Sequence, residues 1–262
     1  MKCSIPIDSA GISLTGKHEI MQEWNEAADA WADFVRTGKD YNRTGVNNPA
    51  TFKLIGEIRG KRVLDLACGE GFNTRILARK GGEVTGVDFS EKLITYAKQE
   101  EAQEKLGIHY EAMDATNLNG LAGNQFDLVT CFMALQDIED YEKAVAEVAR
   151  VLKNCGHFIF SIPHPCFEKI PIGEKRAPAA ENYFKTLEYH IDWNMKRLTK
   201  QFTTTSIHRT LTAYFHSLYL NKLLVRRLVE PRPDTESVKQ HPYFKESLIR
   251  PQSIIIESLK MK

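Results

Sequence analysis

From residue 62 onward the chain alternates short apolar runs with amphipathic stretches. Arg62–Ala67, Glu83–Val87, Ile108–Met113, Phe126–Phe132 and His157–Ile162 are short and rich in aliphatic and aromatic residues, as strands covered on both faces are. Helical periods separate them. One runs from Phe72 to Lys80 and is closed by Gly81-Gly82. A second starts at Ser90 as N-cap, has Glu91 in its first turn, and runs to about Leu106 with Gly107 as C-cap. A third follows Asp140, with Ala144, Val145, Val148, Val151 and Leu152 on one face. This alternation predicts an α/β fold with a doubly wound parallel sheet and helices on both faces.

The flanking segments read differently. Residues 18–37 predict a helix, with Ile20, Trp24, Ala27, Ala28, Trp31, Phe34 and Val35 near helical spacing. Gly38–Pro49 reads as a loop, and helix signals resume over Ala50–Ile58. After Pro163 the rhythm breaks. Residues 164–206 hold prolines, aromatics and charges without sustained periodicity. They read as an insertion over the C-terminal edge of the sheet, where open α/β sheets bind ligands. A helix at Thr210–Leu220 and strands at Leu223–Val229 and Ser253–Leu259 complete the pattern. The chain reads as one domain over 1–262, with an N-terminal helical lid at about 1–58 and a substrate cap at about 164–206.

The ends of the apolar runs carry the candidate chemistry. The first passes into Ala67-Cys68-Gly69-Glu70-Gly71, whose glycines let backbone approach a ligand closely. The second ends in Asp88, placed to bind both hydroxyls of a ribose. The third ends in Asp114, placed to accept from an exocyclic amine such as that of adenine. One adenosine-containing ligand explains all three.

These residues resemble the class I S-adenosylmethionine (SAM) methyltransferases, whose first motif is acid-x-Gly-x-Gly-x-Gly. Here it reads Asp65-x-Ala67-x-Gly69-x-Gly71, with Ala67 at the glycine position that tolerates change most readily. The resemblance continues through Val87-Asp88-Phe89-Ser90, Met113-Asp114-Ala115, Phe126–Val129, Glu147–Leu152 and Cys155–Phe158, and covers roughly residues 40–163. Pro163–Phe167, His208–Leu211 and Leu228–Pro231 are similar, more weakly, to a bacterial and archaeal subgroup thought to act on small molecules. The rival reading, a dinucleotide-binding Gly-x-Gly-x-x-Gly turn, would put its third glycine on Thr74. The last strand also discriminates. The resemblance implies a mostly parallel seven-stranded sheet with an antiparallel last strand, whereas a dinucleotide fold would continue parallel.

The resemblance implies SAM as cofactor and S-adenosylhomocysteine as product. Gly69 and Gly71, with Ala67 and Cys68 in the same turn, would form the floor under the methionine part, and Asp65 would orient its ammonium group. Asp88 would bind the ribose, with Phe89 over the adenine and Ser90 beside it. Asp114, with Met113 and Ala115, would meet the adenine edge, and Phe132 would lie near the methionine chain. Phe89, Met113 and Phe132 also suit a plain core. Tyr41 and Arg43 form a Tyr-x-Arg arrangement similar to one in the subgroup. Arg43 is either the fork that binds the SAM carboxylate or an exposed loop arginine. His164 and His208 are the candidates for a general base, although each such histidine alone is more often structural. Tyr183, Tyr189, Trp193 and Phe202 would wall an aromatic or apolar pocket or form the insertion's own core.

Composition narrows the partners. The net charge of +1 is not that of a polyanion binder, yet residues 185–262 carry 14 basic and 7 acidic side chains. That excess is a solvated surface or an attraction for an anionic substrate, RNA included. Five cysteines, none in Cys-x-x-Cys spacing, argue against a disulfide framework or a zinc site, so no metal is expected. No signal peptide or spanning apolar run is apparent, which points to a reducing cytoplasm and no membrane partner. The leading expectation is methylation of oxygen, nitrogen or sulfur on a small molecule by a monomer or homodimer. An RNA or protein methyltransferase and a non-catalytic SAM-binding regulator are the alternatives. Cys131-Phe132-Met133-Ala134 stands where DNA adenine methyltransferases carry Asn/Asp-Pro-Pro-aromatic, which argues against that substrate.

Overall fold

The computed structural model describes residues 14–172, 175–178 and 182–262. In chain order the elements begin with α1 (Lys17–Arg36), α2 (Asn48–Ile55), β1 (Arg62–Leu66), α3 (Phe72–Arg79), β2 (Glu83–Asp88), α4 (Glu91–Glu104), β3 (His109–Ala112) and β4 (Phe126–Phe132). Then follow α5 (Tyr141–Val151), β5 (Leu152–Pro163), β6 (Lys169–Ile172), β7 (Lys175–Pro178), β8 (Leu187–Trp193) and β9 (Phe202–His208). The chain closes with α6 (Leu211–Leu220), β10 (Leu223–Val229), α7 (Thr235–Gln240) and β11 (Ser253–Lys260).

Seven strands form one sheet in the order β10-β11-β5-β4-β1-β2-β3. Strands β1 to β5 pair in parallel, and β11 is antiparallel to both β5 and β10. The antiparallel β11 fits the methyltransferase expectation and not the dinucleotide one. Strand order reverses at β1, between β4 and β2, so a crevice opens at the C-terminal ends of these strands.

Side-chain alternation explains why these runs are apolar throughout. Leu64, Leu66, Val129, Phe158, Phe160 and Ile256 pack on one face beneath Val145 and Val148 of α5 and Leu218 of α6. Val63, Leu128, Ile159 and Ile255 pack on the other beneath Leu77 of α3 and Ile94 and Ala97 of α4. With both faces covered, no polar alternation survives. Each such fully buried side chain contributes about 1.5–3 kcal/mol. Ser90, Asp140 and Thr210 cap α4, α5 and α6 by accepting from Leu93, Lys143 and Ala213 N–H groups at 3.2, 3.1 and 3.1 Å.

Several boundaries differ from expectation. Helix α4 ends at Lys105, which takes the left-handed conformation (φ +52°) ahead of Gly107. The expected loop before Pro49 is largely helical. Asp40 accepts from the Arg43 N–H at 3.2 Å, and a π-helical turn over Arg43–Asn47 runs into α2, whose first turn tolerates Pro49. The segment after Pro163 holds two antiparallel hairpins, β6–β7 and β8–β9. Their pattern is hard to see because β9 buries polar residues. Thr204 accepts from the Trp193 indole at 2.9 Å, and Thr205 donates to Glu23 through N–H and hydroxyl at 2.7 and 2.9 Å.

Glu23 therefore fastens α1 to β9. At the other end of α1, Arg36 donates to Glu70 in the glycine turn at 3.1 Å. Two hydrogen bonds to one carboxylate make Glu23 the main polar link between helix and hairpin. Glu23→Ala should lower stability by about 1.5–3 kcal/mol in urea unfolding, the range for hydrogen bonds to a charged group.

Candidate functional site

A cavity of about 520 Å³ lies at the C-terminal edge of β1, β2 and β4, with α1 and β8–β9 contributing to its wall. Its size is that of a small-molecule site. The glycine turn after β1 supplies one side. Ala67 sits at φ +53° and Gly69 at φ +59°. A non-glycine residue in this region carries roughly 1–2 kcal/mol of strain, so Ala67 occupies a demanding position rather than a tolerant one. A Cβ on Gly69 would meet only Trp31 Nε1, at 3.8 Å, so Gly69 leaves backbone exposed to the cavity.

Three acids are held differently. Asp65 is buried and accepts from the hydroxyls of Thr74 at 2.6 Å and Thr130 at 2.8 Å. Asp88 is buried and accepts from the N–H groups of Gly69 and Ser90, both at 2.9 Å. Burial pushes both carboxyls up to about 6, against the pull of those donors. Asp114 is half-buried and accepts from Thr116 N–H at 2.9 Å and hydroxyl at 2.8 Å, and from Lys17 Nζ at 2.7 Å. Burial acts upward on Asp114 too, but the Lys17 and Thr116 donors bring it below the usual range.

The acids lie side by side on the cavity wall with Gly69 between them. Asp65 and Cys68 line it from the β1 turn, Asp88 and Phe89 from β2, and Met113, Asp114 and Ala115 from beyond β3. Ala67, Phe132 and Arg43 also face it. Burial pushes the Cys68 thiol well upward, so it stays protonated. The Arg43 guanidinium pairs with Asp40 at 3.0 Å and lies over the Trp31 and Phe72 rings, 5.4 and 5.8 Å from their centroids.

Residues 64–160 match the family described as "Methyltransferase domain". This segment is a methyltransferase domain of the class I type. It coincides with the run from β1 to β5 that builds the acids and the glycine turn. An S-adenosylmethionine dependent methyltransferase from Mesorhizobium loti superposes with a TM-score of 0.66 at 27% identity, covering 80% of this chain and 96% of that one. Among curated relatives, a ubiquinone biosynthesis O-methyltransferase of Coxiella burnetii is 38% identical over 117 residues, 44% of this chain and 50% of that protein. One of Alkalilimnicola ehrlichii is 35% identical over 147 residues, 55% of this chain and 58% of that protein. The chain thus spans little more than half the length of the curated relatives it matches.

Not every residue that the methyltransferase domain's sequence suggests lines the cavity. Gly71 is off the cavity wall. A Cβ there would meet the Tyr110 hydroxyl at 2.4 Å, so the glycine serves packing and its own φ of +84°. Ser90 caps α4 and does not line the cavity. Tyr41 also lies off the wall, with its ring 3.8 Å from His241 and the Arg197 guanidinium 4.7 Å away.

The two histidines also lie off the cavity wall. His164 is buried off the cavity wall. Its Nδ1 accepts from Cys166 N–H at 3.2 Å, and its Nε2 pairs with Glu230 at 3.0 Å. His208 places Nδ1 on Glu168 and Nε2 on the Tyr183 carbonyl, the latter at 3.0 Å. With both ring nitrogens of each engaged, neither has a free lone pair for an acceptor.

Of the insertion's aromatics, Trp193 lines the cavity. Phe202 stacks behind it at 5.6 Å, while Tyr189 donates to Glu168 and Tyr183 accepts from Leu211 N–H. Trp31, read from sequence as one of the regularly spaced apolar residues of α1, packs edge-on to both Trp24 and Trp193 and lines the cavity with them. Its 3.6-residue spacing marked it as buried without showing that the burial is against a hairpin.

The glycine turn yields a test. Gly71→Ala should destabilise the fold by about 1–2 kcal/mol from the left-handed penalty alone. Tyr110→Phe in the same chain should recover part of it, because the nearest clashing atom is the Tyr110 hydroxyl. Thermal unfolding of the single and double variants reads both effects.

Proposed function

We propose that this chain is a SAM-dependent methyltransferase that methylates an oxygen of a small, largely apolar molecule. The observation that carries the reading is the cavity itself. Its wall carries both the acids of the methyltransferase domain and the apolar side chains Trp24, Trp31, Phe34, Ile191, Trp193 and Met195. The residues fit the cofactor. SAM carries a sulfonium and an ammonium group, and the wall offers buried carboxylates and an exposed Gly69 backbone. Oxygen is favoured as the acceptor by the O-methyltransferase relatives, whose own substrate is not carried over, because the roof of this cavity lies outside the matched segment.

Asp88 would bind the ribose hydroxyls with the lone pairs left after its two backbone bonds. Asp114, with Met113 and Ala115, would take the adenine edge beneath Phe89. Gly69 and Asp65 would hold the methionine part, and Arg43 would exchange Asp40 for its carboxylate. When bound, SAM would supply an electrophilic methyl group on its sulfonium. The protein's tasks are alignment and exclusion of water. The lid over residues 14–58 and the cap over 164–206 perform the second, because α1 and β8–β9 supply the aromatic part of the wall.

The RNA alternative weakens on the C-terminal charges. Arg209 donates to three carbonyls, Arg227 pairs with Glu257, and Arg250 pairs with Glu246. Those three cations serve the fold. The four cysteines among the described residues are free, which suits a reducing compartment such as the cytoplasm.

Calorimetry with S-adenosylhomocysteine should show one site per chain. Asp88→Ala should weaken it by about 1.5–3 kcal/mol. Unchanged affinity in a folded variant would remove Asp88 from the site, and no binding to either protein would reject the reading.

A further inference from the structure

We propose that Asp137, in the turn that follows β4, takes the proton from the acceptor hydroxyl during methyl transfer. The assignment rests on the methyltransferase reading above. With both histidines committed elsewhere, the reaction needs a different base if the acceptor is a neutral alcohol or phenol. The cavity wall offers four buried or half-buried aspartates near the strand ends. Asp65 and Asp88 are anchored by two donors each, and Asp114 holds Lys17 and Thr116. Asp137 is the one that meets the β8–β9 hairpin, through Ser206 of β9.

Its position follows from the fold. Strand β4 lies next to β1, so the turn after β4 stands beside the glycine turn. Leu135–Asp137 is a single 3-10 turn, and both Gln136 and Asp137 line the cavity together with Thr204 of β9. Arg209 fixes that turn from across the cavity mouth. Its guanidinium donates to the carbonyls of Gln136, Ile138 and Glu139 at 3.4, 2.7 and 2.9 Å, and stacks on Tyr141. The arginine thus spends its donors on backbone and leaves the Asp137 carboxylate without a bidentate partner.

One further atom marks this corner as open to a ligand. Gln136 Nε2 donates to the Met133 carbonyl at 2.7 Å and to Asp137 Oδ2 at 3.1 Å. Its Oε1 is buried and has no hydrogen-bond partner, and Ser206 of β9 stands beside Asp137. A buried acceptor left unpaired costs about 1–3 kcal/mol, a cost that a ligand donor removes. Burial pushes the Asp137 carboxyl up to about 8, opposed by Ser206 and Arg209. The other titratable groups facing it are Glu23 of α1, Cys131 of β4, Tyr189 of β8 and Tyr214 of α6. A base in this range is well matched to a hydroxyl near neutral pH, and a nearby sulfonium would favour its ionised form.

The step balances as follows. The acceptor hydroxyl gives its proton to an Asp137 oxygen while an oxygen lone pair forms the bond to the methyl carbon. The methyl–sulfur bond breaks with its electron pair on sulfur, which loses its positive charge. The proton then leaves Asp137 for solvent.

The test uses the full chain, Asp137→Asn and Asp137→Glu, with phenol as acceptor probe and labelled SAM as donor. Asp137→Asn should lower turnover by roughly 10²–10⁴-fold. Its affinity for S-adenosylhomocysteine should stay within about twofold of wild type, because Asp137 is not assigned to the adenosine. Asp137→Glu should recover part of the rate, and wild-type turnover should rise with pH toward about 8, a rise that Asp137→Asn lacks.

A second readout needs no acceptor. The folded state holds the Asp137 proton more tightly than the unfolded chain, so this group's contribution to stability is full below about 4 and is lost as pH rises through about 8. The melting temperature of Asp137→Asn relative to wild type should therefore climb between pH 5 and pH 9, an interval set roughly by those two values. Turnover of phenol by Asp137→Asn at more than a tenth of the wild-type rate would overturn the assignment. If wild type does not turn phenol over, a flat melting-temperature difference overturns it and a climbing one supports it. Loss of S-adenosylhomocysteine binding in wild type would instead reject the methyltransferase reading.

Discussion

Asp88 is the pin on which the site turns. One oxygen holds the Gly69 N–H of the β1 turn, and the other holds the Ser90 N–H at the start of α4. The carboxyl is buried, so these bonds are what make its position tolerable. The same contacts fix the distance between the glycine turn and the tip of β2. Every other wall residue is placed relative to that pair: Asp65 through Thr74 on the helix after the turn, Asp114 through the β2–β3 register, and the α1 lid through Arg36 and Glu70.

Much of this was legible along the chain. Strands β1 to β4 and β11 announced themselves within a residue or two, and so did the caps Ser90, Asp140 and Thr210, whereas β5 begins at Leu152, well before the expected His157. The acids at the strand tips were readable because strand ends in a parallel sheet face one edge. What escaped has physical reasons. Strand β9 buries Thr204, Thr205 and Ser206, so no apolar alternation marks it. The histidines looked catalytic because their carboxylate partners, Glu230 and Glu168, lie 66 and 40 residues away in sequence. Asp137 sits in a run with Glu139 and Asp140 that reads as an exposed acidic turn. Only the packing of β8–β9 and Arg209 buries it.

Ala67 and Gly71 show the limit of motif reading from the other side. The motif treats its small residues as equivalent contributors to the ligand floor. In three dimensions they divide. Gly69 leaves backbone open, Gly71 makes room for Tyr110, and Ala67 accepts left-handed strain in the same bend. A spacing pattern records that small residues are required without recording which demand each one meets.

The two hairpins after β5 add no strand to the seven-stranded sheet and leave from β5 to return at α6. The matched segment stops at residue 160, just before they begin. Their contact with the rest is made through side chains such as Glu23, Trp31 and Arg209, not through sheet register. Such an attachment is modular. Residues can be inserted or replaced between β5 and α6 with no strand forced to slip, so the chamber's shape is free to diversify while the half that carries the glycine turn stays under the constraints of its own core.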